Sequence, residues 1–272
     1  MIIVFSGTGN SMHVARMLSG ILGDGIVTLP QPSTALPAPD HDRVIWVMPV
    51  YSWGIPPVVA RWMKTMDIPG GEHLPHFGVF TCGDDIGNAH FMWGRAADRR
   101  NWEPLGEWSV QMPNTYVLMK GFDVDSPTVA RKKIESATAR TRHIADLIAK
   151  MTETFNAGGY CEPVADVVRG RFAWIKTAVI YPWFKRYAMS PEPFFADSRC
   201  IGCSICANSC PLKNISMDGG RPRWGKDCAL CLRCYHICPR HAVAYSTATR
   251  GKGQYTDLIG EVSASKGDAQ AD

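Results

Sequence analysis

Eight of the chain's ten cysteines fall into two runs of one spacing near the C-terminus. The first is Cys200, Cys203, Cys206 and Cys210-Pro211; the second is Cys228, Cys231, Cys234 and Cys238-Pro239. Soft thiolates select iron–sulfur clusters or zinc. Two residues between cysteines let the backbone curl, so that successive sulfurs and the intervening N–H groups point at one centre. The alternatives are a pair of structural zinc sites or a disulfide scaffold. Zinc usually needs only four ligands from two C-x-x-C pairs, which does not explain a third cysteine in each run or the paired Cys-Pro. Cys82 and Cys161 stand alone and read as ordinary thiols.

A second chemistry lies at the other end. Ser6-Gly7-Thr8-Gly9-Asn10-Ser11 follows the apolar run Met1 to Phe5 and precedes a stretch with Met12, Ala15, Leu18, Ile21 and Leu22 on one side. Strand, glycine loop and helix in that order make an anion site, because N–H groups turn inward at a helix N-terminus and the hydroxyls of Ser6, Thr8 and Ser11 add donors. The loop has neither the lysine of a P-loop nor a G-x-G-x-x-G run. Two further loops follow strands: Pro49-Val50-Tyr51-Ser52-Trp53, where a ring could stack on Tyr51 and Trp53, and Cys82-Gly83-Asp84-Asp85, running on to Asn88.

The elements that must position these loops read as alternating strand and helix. Strands are expected at 26–29, 44–50, 77–81 and 108–112, the second being apolar enough to be buried on both faces. Pro56-Pro57 open one helix, and Ser126-Pro127 supply an N-cap and first-turn proline for a long one bearing Ala130, Ile134, Ala137, Thr141, Ile144 and Ile148. About 150 residues of this alternation predict an α/β fold, a parallel sheet with helices on both faces. Ligands of such sheets sit beyond the carboxyl ends of the strands.

The cysteine runs resemble the C-x2-C-x2-C-x3-C-P run of bacterial ferredoxins, in which the fourth cysteine ligates the other cluster. That resemblance assigns Cys200, Cys203, Cys206 and Cys238 to one 4Fe-4S cluster and Cys228, Cys231, Cys234 and Cys210 to a second. The Ser6 to Ser11 loop resembles the phosphate loop of flavodoxins. The Cys82 loop resembles their G-x-G-D-x-x-G-Y loop, with Thr81 replacing its first glycine and Asn88 its aromatic; Phe91 or Trp93 is a candidate substitute. Flavodoxins imply FMN held by Ser6, Gly7, Thr8, Gly9, Asn10, Ser11, Pro49, Tyr51, Trp53, Cys82, Gly83, Asp84 and Asp85, and a strand order 2-1-3-4-5. Together these parts resemble the fused flavodoxin and ferredoxin proteins of anaerobic bacteria and archaea, over residues 1–250.

The expected organisation is a flavodoxin-like doubly wound domain at 1–154, an aromatic and proline-rich linker at 155–195, a small α+β two-cluster domain at 196–250, and a tail at 251–272 without fixed structure. Between Ala196 and Arg250 eight Lys or Arg stand against three Asp, an excess of five cations that invites an acidic redox partner. The net charge of +4 does not point to nucleic acid. No apolar run is long enough to span a bilayer, though 172–187, flanked by basic residues, can be read as a membrane-surface helix as well as a bracket packed on both modules. Reduced thiols fit a cytoplasm. The resemblance implies an electron-transfer protein joining one- and two-electron chemistry. The alternatives are a flavin-dependent reductase of a small organic acceptor near Asn114, Tyr116, Asp84 and Asp85, and a redox-responsive regulator.

Overall fold

The computed structural model describes residues 1–31, 34–39 and 41–260. Six parallel strands form one sheet: β1 (Ile2–Val4), β2 (Ile26–Thr28), β3 (Val44–Pro49), β4 (Pro75–Cys82), β5 (Glu103–Gln111) and β6 (Val164–Asp166). Their spatial order is β2-β1-β3-β4-β5-β6. This is the flavodoxin-like doubly wound order with a sixth strand added at the edge. Helices α1 (Asn10–Leu22) and α4 (Pro127–Asn156) cover one face, and α2 (Pro57–Thr65) and α3 (Ala89–Asp98) the other.

Side-chain alternation explains why the sheet is buried on both sides. Ile2, Val4, Ile45 and Val47 pack with Leu18, Ile144 and Ile148, whereas Ile3, Phe5, Trp46 and Met48 pack with Val59, Met63 and Trp93. Each such fully buried aliphatic or aromatic side chain contributes about 1.5–3 kcal/mol. The long helix starts as its sequence dictates: Ser126 Oγ accepts from the Val129 amide at 3.4 Å, and Pro127 occupies the first turn.

Three expectations are corrected. β5 begins at Glu103, five residues before the expected 108, because Pro104 and Glu107 are tolerated at half-buried positions near the sheet margin. β6 lies within the stretch read as linker; its three exposed residues, Val164, Ala165 and Asp166, are too short a run to show a period, yet they pair with Gly106 to Trp108. The tail does not lose structure at 251. Tyr255, Leu258 and Ile259 are buried in the α1/α4 core, the Gly253 amide donates to Asp123 Oδ1 at 3.0 Å, and Lys252 Nζ donates to the Val117 carbonyl at 2.6 Å. Residues 261–272 lie outside the described residues.

The small module follows a helical rod over 173–188, in which α5 (Ala173–Ile175) and α6 (Tyr181–Trp183) alternate with π-helical turns. Two antiparallel pairs, β7 (Phe194–Ala196) with β10 (Val243–Tyr245) and β8 (Ile215–Asp218) with β9 (Arg221–Trp224), accompany the short helices α7 (Ile205–Ser209) and α8 (Arg233–His236). Its core of Phe194, Ile215, Leu230, Tyr235 and Val243 includes Val117 and Leu118 of the sheet module, so the two modules share apolar contacts.

Candidate functional site

A cavity of about 440 Å³ opens at the carboxyl ends of β1, β3, β4 and β5. Every residue expected to hold a flavin lines it except Gly9. Gly9 stands behind the loop at the N-terminus of α1, with φ of 103°, where a Cβ would overlap the Leu258 carbonyl. The loop is braced from within: Ser6 Oγ accepts from the Gly9 amide at 3.2 Å, Ser11 Oγ and Thr81 Oγ1 lie 2.8 Å apart, and Asn10 Nδ2 donates to the Pro113 carbonyl at 2.8 Å. Asn10 Oδ1 is buried with no hydrogen-bond partner among the described residues.

The second wall is a tight turn. The Tyr51 and Gly54 amides and carbonyls exchange hydrogen bonds at 2.9 and 3.0 Å, which forces Ser52 and Trp53 to φ of 45° and 63°. Non-glycine residues pay about 1–2 kcal/mol each for that left-handed backbone, a cost that clusters at functional sites. The rod supplies the roof. Ile180, Trp183 and Phe184 line the cavity; the Thr177 hydroxyl donates to the Trp53 carbonyl at 2.8 Å, and the Tyr181 hydroxyl to that of Ile55 at 2.7 Å. Lys176 Nζ meets Asp85 Oδ2 at 2.6 Å and lies 4.9 Å from the Trp53 ring centre.

Asn114 and Tyr116 also line the cavity, and burial pushes the Tyr116 hydroxyl up to about 12. Burial, then Asp85 and Asp84, push the Cys82 thiol up to about 12. Phe91 and Trp93 do not reach the site. Trp93 is fully buried against Phe80, and Phe91 sits outside under Arg169, 5.3 Å from its guanidinium. Tyr116, Phe122, Trp183 and Phe184 are the aromatics that the rod and the 113–122 loop bring in instead.

All ten cysteines are unbridged. Cys200, Cys203, Cys206 and Cys238 ring one small void; Cys210, Cys228, Cys231 and Cys234 ring another. The fourth cysteine of each run thus stands with the other run's three. Electrostatics group them alike: burial, then Cys238, Cys203 and Cys200, push Cys206 up to about 11, while burial, then Cys231 and Cys210, push Cys228 up to about 12. Among the described residues, no group of three or more His, Cys, Asp or Glu side chains is arranged to hold a single metal ion.

The two cysteine loops repeat one backbone. Left-handed residues recur at Gly202 and Leu230, at Ser204 and Leu232, and at Lys213 and His241. Amides donate to sulfur at equivalent places, Asn214 to Cys210 at 3.4 Å and Ala242 to Cys238 at 3.3 Å.

The second quartet abuts the cavity. Leu230, Cys231 and Leu232 form part of its wall, and a Cβ on Gly7 would meet the Cys231 carbonyl and Cβ at 2.7 and 2.8 Å, so only glycine allows that approach. Arg233 fastens the joint. The residue is 7% exposed, and its guanidinium donates to the carbonyls of Gly7 (2.7 Å), Ser6 and Ser209 (2.9 Å). Tyr51 faces the same quartet; burial, then Cys231 and Cys228, hold its hydroxyl well above its ordinary range.

No protein-family model matches the chain, and no curated protein matches it. Among solved structures, the Trp repressor binding protein from Bacillus subtilis is similar over 52% of this chain and 96% of that chain, at 11% sequence identity and a TM-score of 0.37. That likeness is loose, and the fold assignment stands on the strand order instead. Among the described residues, no helix is long and apolar enough to cross a membrane.

Proposed function

We propose that this chain is an electron-transfer flavo-iron–sulfur protein, holding FMN in the large cavity and one 4Fe-4S cluster at each cysteine quartet, as the fused flavodoxin and ferredoxin family would. One observation carries the reading: the cavity and the second quartet share a wall, made by Leu230, Cys231 and Leu232 against Gly7. Bound clusters exchange single electrons while FMN takes one or two, so the combination joins one- and two-electron chemistry.

The residues fit those groups. The α1 N-terminus with the Ser6, Thr8 and Ser11 hydroxyls is a cradle for a dianion without a basic side chain, and the unpartnered Asn10 Oδ1 is an acceptor for a sugar-alcohol hydroxyl. Four thiols around a void, rather than converged on a point, suit a polynuclear cluster better than zinc. Burial first, and neighbouring cysteines after it, push the thiols of Cys206, Cys228, Cys231 and Cys234 up, a condition that bound iron would reverse. N–H donors to Cys210, Cys228 and Cys238 favour the more negative cluster state. With clusters bound, the first quartet, where Ile201 is 64% exposed and Arg240 is exposed, would be the entrance from a partner, and the second quartet would be the one facing the cavity. An acidic donor suits that entrance.

A second reading, an FMN-dependent reductase, draws on Asn114, Tyr116, Asp84 and Asp85 lining one cavity. It is the weaker one. Asp85 is paired with Lys176, Asn114 is tied to Asp125 and Asp123, and a Tyr116 hydroxyl at about 12 is a poor acid at neutral pH. Metal and flavin analysis after purification without oxygen tests the proposal: about eight irons and one FMN per chain are expected. Two zincs with little iron would remove it.

A further inference from the structure

The rod over 173–188 has an inner face that is fully used and an outer face that is not. Inside, Ala173, Tyr181 and Phe184 are buried, and Lys176 is paired with Asp85. Outside, Trp174 and Tyr187 are each 67% exposed and Val179 53%, with Phe172, 67% exposed, just before the rod. Large aromatics left exposed along so short a stretch mark a surface that something covers.

The charge on this stretch is one-sided. From Val167 to Pro191 the chain has Arg169, Arg171, Lys176, Lys185 and Arg186 and no Asp or Glu. Arg171 and Arg186 lie over rings of that face, 5.6 Å from the Phe172 centroid and 5.3 Å from that of Tyr187. A second copy of the chain would bring cations against cations, which disfavours a symmetric pair. Apart from the cations, the polar side chains of 171–188 are Thr177, Tyr181 and Tyr187, and the first two are already bonded inward. A face of rings and cations with so few fixed polar groups offers little to specify a protein partner. It supplies what a headgroup layer asks for: apolar rings at the boundary and positive charge among anionic lipids.

We propose that the outer face of this rod docks on an anionic bilayer surface, lying in its plane. The inference does not depend on the flavin and cluster reading. Sedimentation of the purified full chain with vesicles of phosphatidylcholine, alone or mixed with phosphatidylglycerol, tests it at low and high salt. The chain is expected to partition onto the mixed vesicles at low salt, to leave pure phosphatidylcholine largely unbound, and to be weakened by salt. Trp174→Ser with Tyr187→Ser, and separately Lys185→Glu with Arg186→Glu, should each lower partitioning at least about tenfold, with the melting temperature of each variant showing that it remains folded. Absence of binding to the mixed vesicles, equal binding to both vesicle types, or a concentration-dependent dimer abolished by the Trp174 and Tyr187 changes would overturn the proposal.

Discussion

The two cysteine halves share a backbone and differ in what surrounds it. Each second-run residue carries the number of its first-run counterpart plus 28, as Cys228 does against Cys200, and the left-handed positions match at Gly202 and Leu230, Ser204 and Leu232, and Lys213 and His241. The neighbours do not match. Ile201 is 64% exposed where Ala229 is 7%, and Ile205 is 37% exposed where Arg233 is 7%. Gly202 faces Gly220, whereas its counterpart Leu230 joins the wall of the cavity. One loop design has therefore been given an outer end and an inner end. The surrounding contacts divide the labour, because the cysteine spacing is identical in both halves.

The largest expected effect breaks that comparison at Arg233. Two buried carbonyls and one part-buried carbonyl lose their donor in Arg233→Met, and unsatisfied buried groups cost about 1–3 kcal/mol each, so we expect a loss of about 4 kcal/mol in denaturant stability. The equivalent change in the outer half, Ile205→Met, should cost under about 1 kcal/mol. Equal losses would mean that the two halves are held alike.

Next comes an effect that lies in neither half and sets the background for both. His76 is buried, accepts from Trp46 Nε1 at 3.1 Å, donates to the Gly71 carbonyl at 2.9 Å, and is lowered by burial to about 4. The unfolded chain takes up a proton near pH 6.5 and the folded chain refuses it until about 4. Stability is thus fully present above 6.5 and is lost as pH falls towards 4, by about 3 kcal/mol from this group. Comparing His76→Asn with the wild type between those values should reveal a shallower decline in the variant; parallel curves would show that His76 is protonated in the folded protein.

The smallest effect sharpens the inner end. Thr8→Ala removes one hydroxyl from the loop and should weaken FMN binding about five- to tenfold, some 1 kcal/mol, without loss of iron. Flavin fluorescence titration checks it, and unchanged affinity would reduce the loop to a turn. Gly9→Val is a poorer probe, because it also forces the Leu258 carbonyl away.

Much of the site was legible because it rests on short-range rules. Cysteine spacing, the strand–loop–helix at Ser6 to Ser11, and apolar runs such as Val44 to Met48 carry their own signal. Long-range docking does not. Arg233, read from sequence, is one more surface cation in a basic module; only the fold reveals three carbonyls around it. Residues 252–259 look like a polar tail, since Tyr255 and the adjacent Leu258 and Ile259 show no period, yet these three close over α1 and α4. Trp93 was a plausible ring cover by number alone, but helix α3 turns it into the core. The roof from Ile180 to Phe184 was equally hidden, because a rod with one used face and one bare face reads the same in either orientation.

The central claim is that the second quartet is the passage between the outer quartet and the cavity. Stopped-flow reduction by a low-potential donor tests it most directly, comparing the wild type with Cys210→Ser, which disables the second quartet while sparing Cys200, Cys203, Cys206 and Cys238. In the wild type, cluster bands should bleach before the flavin band, at a flavin rate independent of protein concentration, as transfer within one chain requires. In the variant the remaining cluster should still bleach while flavin reduction slows by about a hundredfold or more and becomes concentration-dependent. Flavin reduction at the wild-type rate in that variant would contradict the account.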